Sequence, residues 1–427
     1  MNIVIIGGGA SGMLAAAALK KRYETLEKEK VKIPSQVILL EKNEKLGKKL
    51  FITGKGRCNV TNDCDKDTFF NSIVTNSKFM YSAFSTFSNK DLEKIIEENG
   101  CVLKVERGDR VFPLSDKSYD IIDALKKSIK SKYIKVKLNF EVKSVEKNEE
   151  QFVIKSSTGE TVNADKVIIA TGGLSYSSTG STGDGYKFAK SFGHTVHSPI
   201  PSLVPLNVEE VADCKSMQGL TLKNVAIHIL NKENNKVVYN DFGELLFTHF
   251  GVSGPVILSA SCYLKDLSFG NSKANSSYIL SIDSKPALDR EKLEDRILRE
   301  FDENKTRKLK TVIEKLLPSS MVAVFMDRLN SFDKKVSEVD KSLRSEIIRL
   351  LKDFRFNITS KRDFNEAIIT SGGIDIKEIN PKTMESKIVS GLYFAGEVID
   401  VDALTGGFNI QIAASTGFGA GNSIDVI

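Results

Sequence analysis

The segment that most constrains this chain lies at its start, where Ile3-Val4-Ile5-Ile6 runs into Gly7-Gly8-Gly9-Ala10-Ser11-Gly12 and then into the alanine-rich stretch Met13 to Lys21. A short apolar run, a glycine cluster and a helix-favouring stretch read as strand, tight turn and helix. Gly7, Gly9 and Gly12 match GxGxxG in that setting. Gly7 permits the sharp turn, Gly9 leaves the backbone open to a pyrophosphate, and Gly12 lets the helix pack closely on the strand, with the helix N-terminus facing the phosphates. Any side chain at Gly9 is expected to obstruct such a ligand. A second apolar run, Gln36 to Leu40, ends at Glu41, the expected acceptor for ribose hydroxyls. Its distance from Gly12 exceeds the usual ~20 residues because of the charged stretch Tyr23 to Lys32. An acid there disfavours a 2′-phosphate, so the nucleotide is expected to be FAD or NAD rather than NADP.

FAD reaches well beyond one βαβ unit and needs backbone donors elsewhere in the chain. Val167-Ile168-Ile169-Ala170-Thr171-Gly172-Gly173 resembles the strand-ending ATG element of two-dinucleotide-binding flavoproteins. Gly391-Leu392-Tyr393-Phe394-Ala395-Gly396-Glu397 resembles their second FAD signature, in which Asp is commoner than the Glu397 found here. Thr405-Gly406-Gly407-Phe408-Asn409 opens an Ala-rich helix, and a helix N-terminus beneath the flavin ring would stabilise the negative charge that appears on reduction. Three such elements in order favour FAD over NAD. No second GxGxxG in strand context appears, so NAD(P)H is expected only as a transient reductant.

At 427 residues the chain exceeds one compact core. An α/β fold is expected: a Rossmann-like two-dinucleotide-binding FAD domain over 1–193 and 363–427, interrupted by a β-rich, barrel-like domain over 194–286 and a helical domain over 287–362. Candidate strands are Leu203 to Val208, Asn224 to Leu230, Lys236 to Tyr239 and Tyr278 to Ile282. Asp289 to Phe354 carries helical spacing interrupted at Pro318. Apolar residues make up 41%, and no run approaches the ~18 uninterrupted apolar residues of a membrane span. With no signal-peptide pattern after Met1, the expected compartment is the cytoplasm. The five cysteines form no CxxC pair, so neither zinc nor a disulfide framework is expected. His194 and His197 lack carboxylate or thiolate company in the sequence, and no metal is assigned. The formal charge of +6 is interleaved with acids, permitting an RNA partner without arguing for one.

Over essentially its whole length the chain resembles the YhiN/BaiN-like flavoproteins. The resemblance rests on Gly47-Lys48-Lys49 through Ile52-Thr53-Gly54-Lys55-Gly56-Arg57-Cys58-Asn59-Val60-Thr61-Asn62, on Gly180 to Tyr186, on Gly243 to Pro255, and on Thr383 to Lys387 leading into Gly391 to Asn409. It implies an FAD-dependent oxidoreductase related to ribosomal RNA dihydrouridine synthases, to reductases of oxo-bile acids and to aminoacetone oxidases. The expected cofactor-binding set is Gly7, Gly9, Ala10, Ser11, Gly12, Glu41, Lys42, Lys49, Gly54, Gly56, Arg57, Cys58, Asn59, Thr171, Gly172, Gly173, Asp184, Gly396, Glu397, Gly406, Gly407, Phe408 and Asn409. Reducing an enone or uracil ring needs a hydride, a polarised carbonyl and a proton donor. Cys58, beside Arg57, is a candidate donor with a lowered pKa or else a packed loop residue. Arg57 either polarises a carbonyl or anchors the loop. His249, in the Gly243 to Pro255 segment, is a candidate acid in a cleft wall or a structural histidine. Asp184 is expected to order a turn near the flavin. The partner is either ribosomal RNA or a small-molecule enone, with no membrane.

Overall fold

A computed structural model describes the chain except residues 32, 34, 271–276 and 427; the end of the charged stretch, at Lys32, therefore lies outside the described residues. The chain forms two compact units, one of Met1–Ser202 with Phe364–Ile427 and one of Leu203–Asp363.

The first unit is built on a five-stranded sheet. Its strands are β1 (Asn2–Ile6), β2 (Gln36–Leu40), β3 (Ile134–Lys137), β4 (Lys166–Ile169) and β5 (Leu392–Phe394), in the spatial order β5-β4-β1-β2-β3, all parallel. Ile3, Val4 and Ile5 of β1 and Val167, Ile168 and Ile169 of β4 have no exposed surface. Continuous apolar runs belong in such strands because both faces are covered. Helix α1 (Ala10–Lys28) crosses from β1 to β2, and α2 (Phe408–Ser423) packs along it. The approach is close because α2 presents glycines: a Cβ on Gly417 would lie 2.2 Å from Ser11 O, and one on Gly421 2.2 Å from Ala15 O.

β3 is followed by a separate strand, Val142–Lys147. Asn139 between them takes a left-handed φ of 55°, and its amide bonds Asn43 O at 3.0 Å. Strand Val196–Ser202 pairs antiparallel with Ile369–Ile374 and so belongs to the first unit.

The second unit is a closed antiparallel barrel in the order 206–208, 251–253, 237–247, 221–231, 278–283 and 354–361. Two strands run further than their apolar pattern suggested, Thr221–Asn231 and Val237–Phe247. In the latter Asn240, Phe242 and Glu244 are exposed while Leu245 and Phe247 are buried, the alternation of a strand with one solvated face. Helices Arg290–Glu303, Leu309–Leu316, Ser319–Arg328 and Lys341–Lys352 come between the fifth and sixth barrel strands of the spatial order. Asp289 and Asp340 cap the first and last by accepting from Lys292 N and Leu343 N at 2.8 Å, each contributing about 1 kcal/mol. Pro318 is the N-cap of the third. Leu293, Ile297, Phe325 and Ile347 share one apolar core with barrel residues Phe354 and Phe356. Among the described residues no helix is long and apolar enough to cross a membrane.

Candidate functional site

The turn after β1 is held by contacts that leave no room for side chains. Gly7 has φ +111°, and a Cβ there would lie 2.3 Å from Ala170 O; one on Gly12 would lie 1.9 Å from Gly7 O. Gly9 differs: its φ is −82°, and a Cβ added to it meets nothing within 4 Å. The first helical bond runs from Met13 N to Gly9 O at 3.0 Å, which leaves the amides of Ala10, Ser11 and Gly12 without an intrahelical partner. Ser11 Oγ is buried and has no hydrogen-bond partner. Open space, free amides and an orphaned hydroxyl fit a pyrophosphate at the positive end of α1.

Glu41, 8% exposed at the end of β2, accepts from Gly8 N at 2.8 Å through Oε2, and from Asn43 N (2.8 Å) and Nδ2 (2.7 Å) through Oε1. A carboxylate offers about four acceptor directions, so one remains for a ribose hydroxyl. Lys42 Nζ reaches Asp184 Oδ2 at 2.8 Å and Thr182 Oγ1 at 2.6 Å; Asp184 thereby ties the 182–184 turn to the end of β2.

The segments around β4 and β5 meet in a second polar cluster. Lys49 Nζ donates to Glu397 Oε2 and to Ser175 Oγ, each at 2.6 Å. Glu397 Oε1 accepts from Ser175 Oγ at 2.9 Å and from Thr370 N at 2.8 Å. Gly173 must lack a side chain, since its Cβ would sit 2.5 Å from Thr370 Oγ1. Gly172 is left-handed at φ +74°, and Thr171 Oγ1 is buried without a partner. Gly396 meets the first glycine turn directly: a Cβ there would lie 2.9 Å from Ser11 Cβ.

The 54–58 loop takes left-handed backbone at Gly54, Lys55, Gly56 and Cys58. Cys58 has no exposed surface, and burial pushes its thiol up to about 12. This corrects the expectation of a thiol acidified by Arg57, because successive side chains here point apart. Arg57 Nε donates to Asp116 Oδ1 at 2.8 Å, its Nη2 pairs with Glu106, and the guanidinium lies 4.1 Å from the Phe112 ring centroid. The arginine anchors the loop to the 103–116 region.

Gly406 and Gly407 are left-handed, and a Cβ on Gly407 would lie 2.3 Å from Thr61 O. Asn409 uses its side chain to clamp the preceding turn, with Oδ1 accepting from Ala403 N at 2.9 Å and Nδ2 donating to Ala403 O at 2.8 Å. The first helical bond of α2 runs from Gln411 N to Gly407 O at 3.1 Å, which leaves the backbone amides of Phe408 and Asn409 without an intrahelical partner. Asn59 Oδ1 is a third buried oxygen without a partner.

His249 belongs to the second unit, exposed on the turn between strands 237–247 and 251–253, its ring edge-on to Phe250 at 5.0 Å. The sequence places no carboxylate near His194 or His197, yet the fold does: His194 Nδ1 lies 3.0 Å from Glu378 Oε2, and His197 Nε2 lies 3.5 Å from Asp375 Oδ2. His194 Nε2 faces Ser386 Oγ at 2.9 Å, so both of its ring nitrogens are occupied. Among the described residues no group of three or more potential metal ligands assembles. Ser175, Thr370, Asn43 and Thr182 were missed. Ser175 stands just beyond Gly172-Gly173, Thr182 inside the 180–186 segment and Asn43 beside Lys42, whereas Thr370 carries no local signal.

A parallel sheet with a phosphate-ready helix and a second polar cluster at its strand ends places the protein in the class of flavoprotein-type oxidoreductases. Residues 1–423 match the family described as HI0933-like protein Rossmann domain, and the chain belongs to that family. It is 30% identical over 426 residues to a ribosomal RNA dihydrouridine synthase of Haemophilus influenzae, covering 99% of this chain and 98% of that protein. It is 28% identical over 424 residues to a 3-dehydro-bile acid delta(4,6)-reductase of Clostridium scindens, covering 99% and 98%. Among solved structures, the 3-ketosteroid delta1-dehydrogenase of Sterolibacterium denitrificans superposes with a TM-score of 0.49 at 13% identity, covering 98% of both chains.

Proposed function

We propose that this protein is an FAD-dependent reductase that uses NAD(P)H to saturate a carbon–carbon double bond conjugated to a carbonyl, and that its substrate is a uracil of large-subunit ribosomal RNA. The observation that carries the reading is full-length similarity to relatives named for making dihydrouridine, at 30% and 29% identity. FAD, when bound, supplies the hydride. The amides of Ala10, Ser11 and Gly12 would hold its pyrophosphate, and Glu41 one ribose hydroxyl. Lys49 and Glu397 neutralise each other at the ends of β4 and β5 and offer a fixed donor–acceptor pair to the remainder of the cofactor. The amides opening α2 stabilise negative charge. Cys58 stays a neutral, buried thiol and takes no part in proton transfer.

The bile-acid relative supports a second reading, reduction of a steroid-like enone, which uses the same bond chemistry. Mass spectrometry of large-subunit ribosomal RNA from cells with and without the gene separates the two. Loss of a dihydrouridine is expected; an unchanged content sinks the RNA reading. Anaerobic bleaching of the flavin by NADPH or NADH tests the direction of electron flow. Bleaching by aminoacetone and not by either nicotinamide would instead make the protein an amine oxidase.

A further inference from the structure

In the second unit, three backbone hydrogen bonds hold 305–309 against 334–337: Leu309 N to Lys334 O at 2.9 Å, Val336 N to Arg307 O at 3.0 Å and Ser337 N to Lys305 O at 3.1 Å. Lys308 and Lys335 pair antiparallel within this ladder. It gathers Lys305, Arg307, Lys308, Lys310, Lys334 and Lys335, all exposed, onto one knuckle between helices. Carboxylates answer three of them: Asp302 lies 3.2 Å from Lys305, Asp333 3.1 Å from Lys308 and Glu314 3.9 Å from Lys310. Among the described residues Arg307, Lys334 and Lys335 have no side-chain ion pair; the nearby Glu338 accepts from the Lys335 amide at 2.8 Å.

An aromatic ring stands beside these charges. Helix Ser319–Arg328 is followed by Asn330 in left-handed backbone at φ 47°, its amide bonded to Asp327 O at 2.8 Å, and Ser331 is buried. That turn pushes out Phe332, 43% exposed, into the lining of a depression of about 420 Å³ shared with Lys334 and with the carboxylates Asp333, which pairs with Lys308, and Glu338, which accepts from the Lys335 amide. A solvated helical surface explains scattered lysines but not an apolar ring held out beside Lys334, on a knuckle where Arg307, Lys334 and Lys335 carry no ion pair among the described residues. Cations that track a phosphate backbone and a ring on which an unpaired base stacks are the two parts of a single-stranded nucleic-acid contact.

We propose that this knuckle is a docking surface for single-stranded RNA, with Arg307, Lys334 and Lys335 on phosphates and Phe332 stacked on a base. The proposal rests on the ribosomal RNA reading above and names where that partner is gripped. The test measures binding of large-subunit ribosomal RNA transcribed in vitro to the FAD-loaded full chain, between about 50 and 200 mM salt. R307A/K334A/K335A is expected to weaken binding about tenfold and to lower the slope of log K against log salt by about 2, three contacts at ~0.7 each. Phe332→Ala is expected to weaken binding roughly fivefold with the slope unchanged. Both variants should retain the wild-type flavin spectrum and its bleaching by NAD(P)H, which separates lost docking from lost folding. Wild-type protein that binds RNA while both variants bind equally well overturns the knuckle and leaves the RNA reading standing. Wild-type protein that does not bind at the lowest salt overturns both.

Discussion

The glycine turn at 7–12 and the loop at 54–58 both bend the backbone sharply, and they manage the strain in opposite ways. In the first, glycine occupies the positions where protein atoms crowd in, and Gly9 alone faces open space. In the second, Lys55 and Cys58 hold φ of 58° and 59°, a conformation that costs an L side chain roughly 1 kcal/mol. There the geometry is retained because Cys58 is buried and the neighbouring Arg57 is tied to Glu106 and Asp116. Strain removed by residue choice leaves a rigid turn with one vacancy. Strain overcome by anchoring leaves a loop whose shape depends on its surroundings.

The sharpest way to break the contrast is a pair of substitutions in the first turn. Gly12→Ala forces a Cβ to within 1.9 Å of Gly7 O and is expected to cost about 3 kcal/mol, read as a lowered Tm. Gly9→Ala, with its space empty, should move stability by less than about 0.5 kcal/mol yet empty the protein of FAD, read from its visible absorbance. Equal loss of stability in the two would show that Gly9 is a packing position after all.

The second loop is probed by alkali. Burial raises the Cys58 thiol to about 12, so the folded state resists an ionisation that the unfolded chain undergoes near 8.5. The contribution is present in full below that value and is lost as pH rises toward 12, with a slope of at most about 1.4 kcal/mol per pH unit. Cys58→Ser removes this part of the alkaline slope in a series of chemical denaturations. An unchanged slope would place the thiol in contact with solvent. The smallest effect is expected at Lys55→Gly, where an exposed left-handed residue is relieved, gaining up to about 1 kcal/mol. Cys58→Gly should instead lose stability, because the relief there is outweighed by lost packing.

The first of these regions was legible in the sequence because its constraints are local: each glycine answers to the strand, the turn or the helix next to it. Glu41 was readable for the same reason, as the end of an apolar run. The Lys49–Glu397 pair joins residues 348 positions apart, and no periodicity announces that Thr370 and Ser175 complete it. Arg57 takes the anchoring alternative, and Cys58 the packed one, because adjacency along the chain is not adjacency in space: the guanidinium pairs with Glu106 and Asp116 while the thiol is buried. In the barrel, Val237–Phe247 runs past Tyr239 although Asn240, Asp241 and Glu244 interrupt the apolar pattern, because Asn240 and Glu244 lie on the solvated face and Asp241 accepts from the Tyr239 hydroxyl. The helices over 290–352 kept their spacing and were read with little error.

The pairing of β4 with β5, Ile169 beside Phe394, also bears on how such a chain emerges during synthesis. The open edge of β4 has no partner until nearly the whole polypeptide has been made, and an unpaired apolar edge invites association with other chains. The barrel and its helices, encoded between the two strands, are available to fold in that interval. Closure of the sheet is then the late event, and substitutions in β5 should slow maturation and lower soluble yield more than they weaken the finished protein.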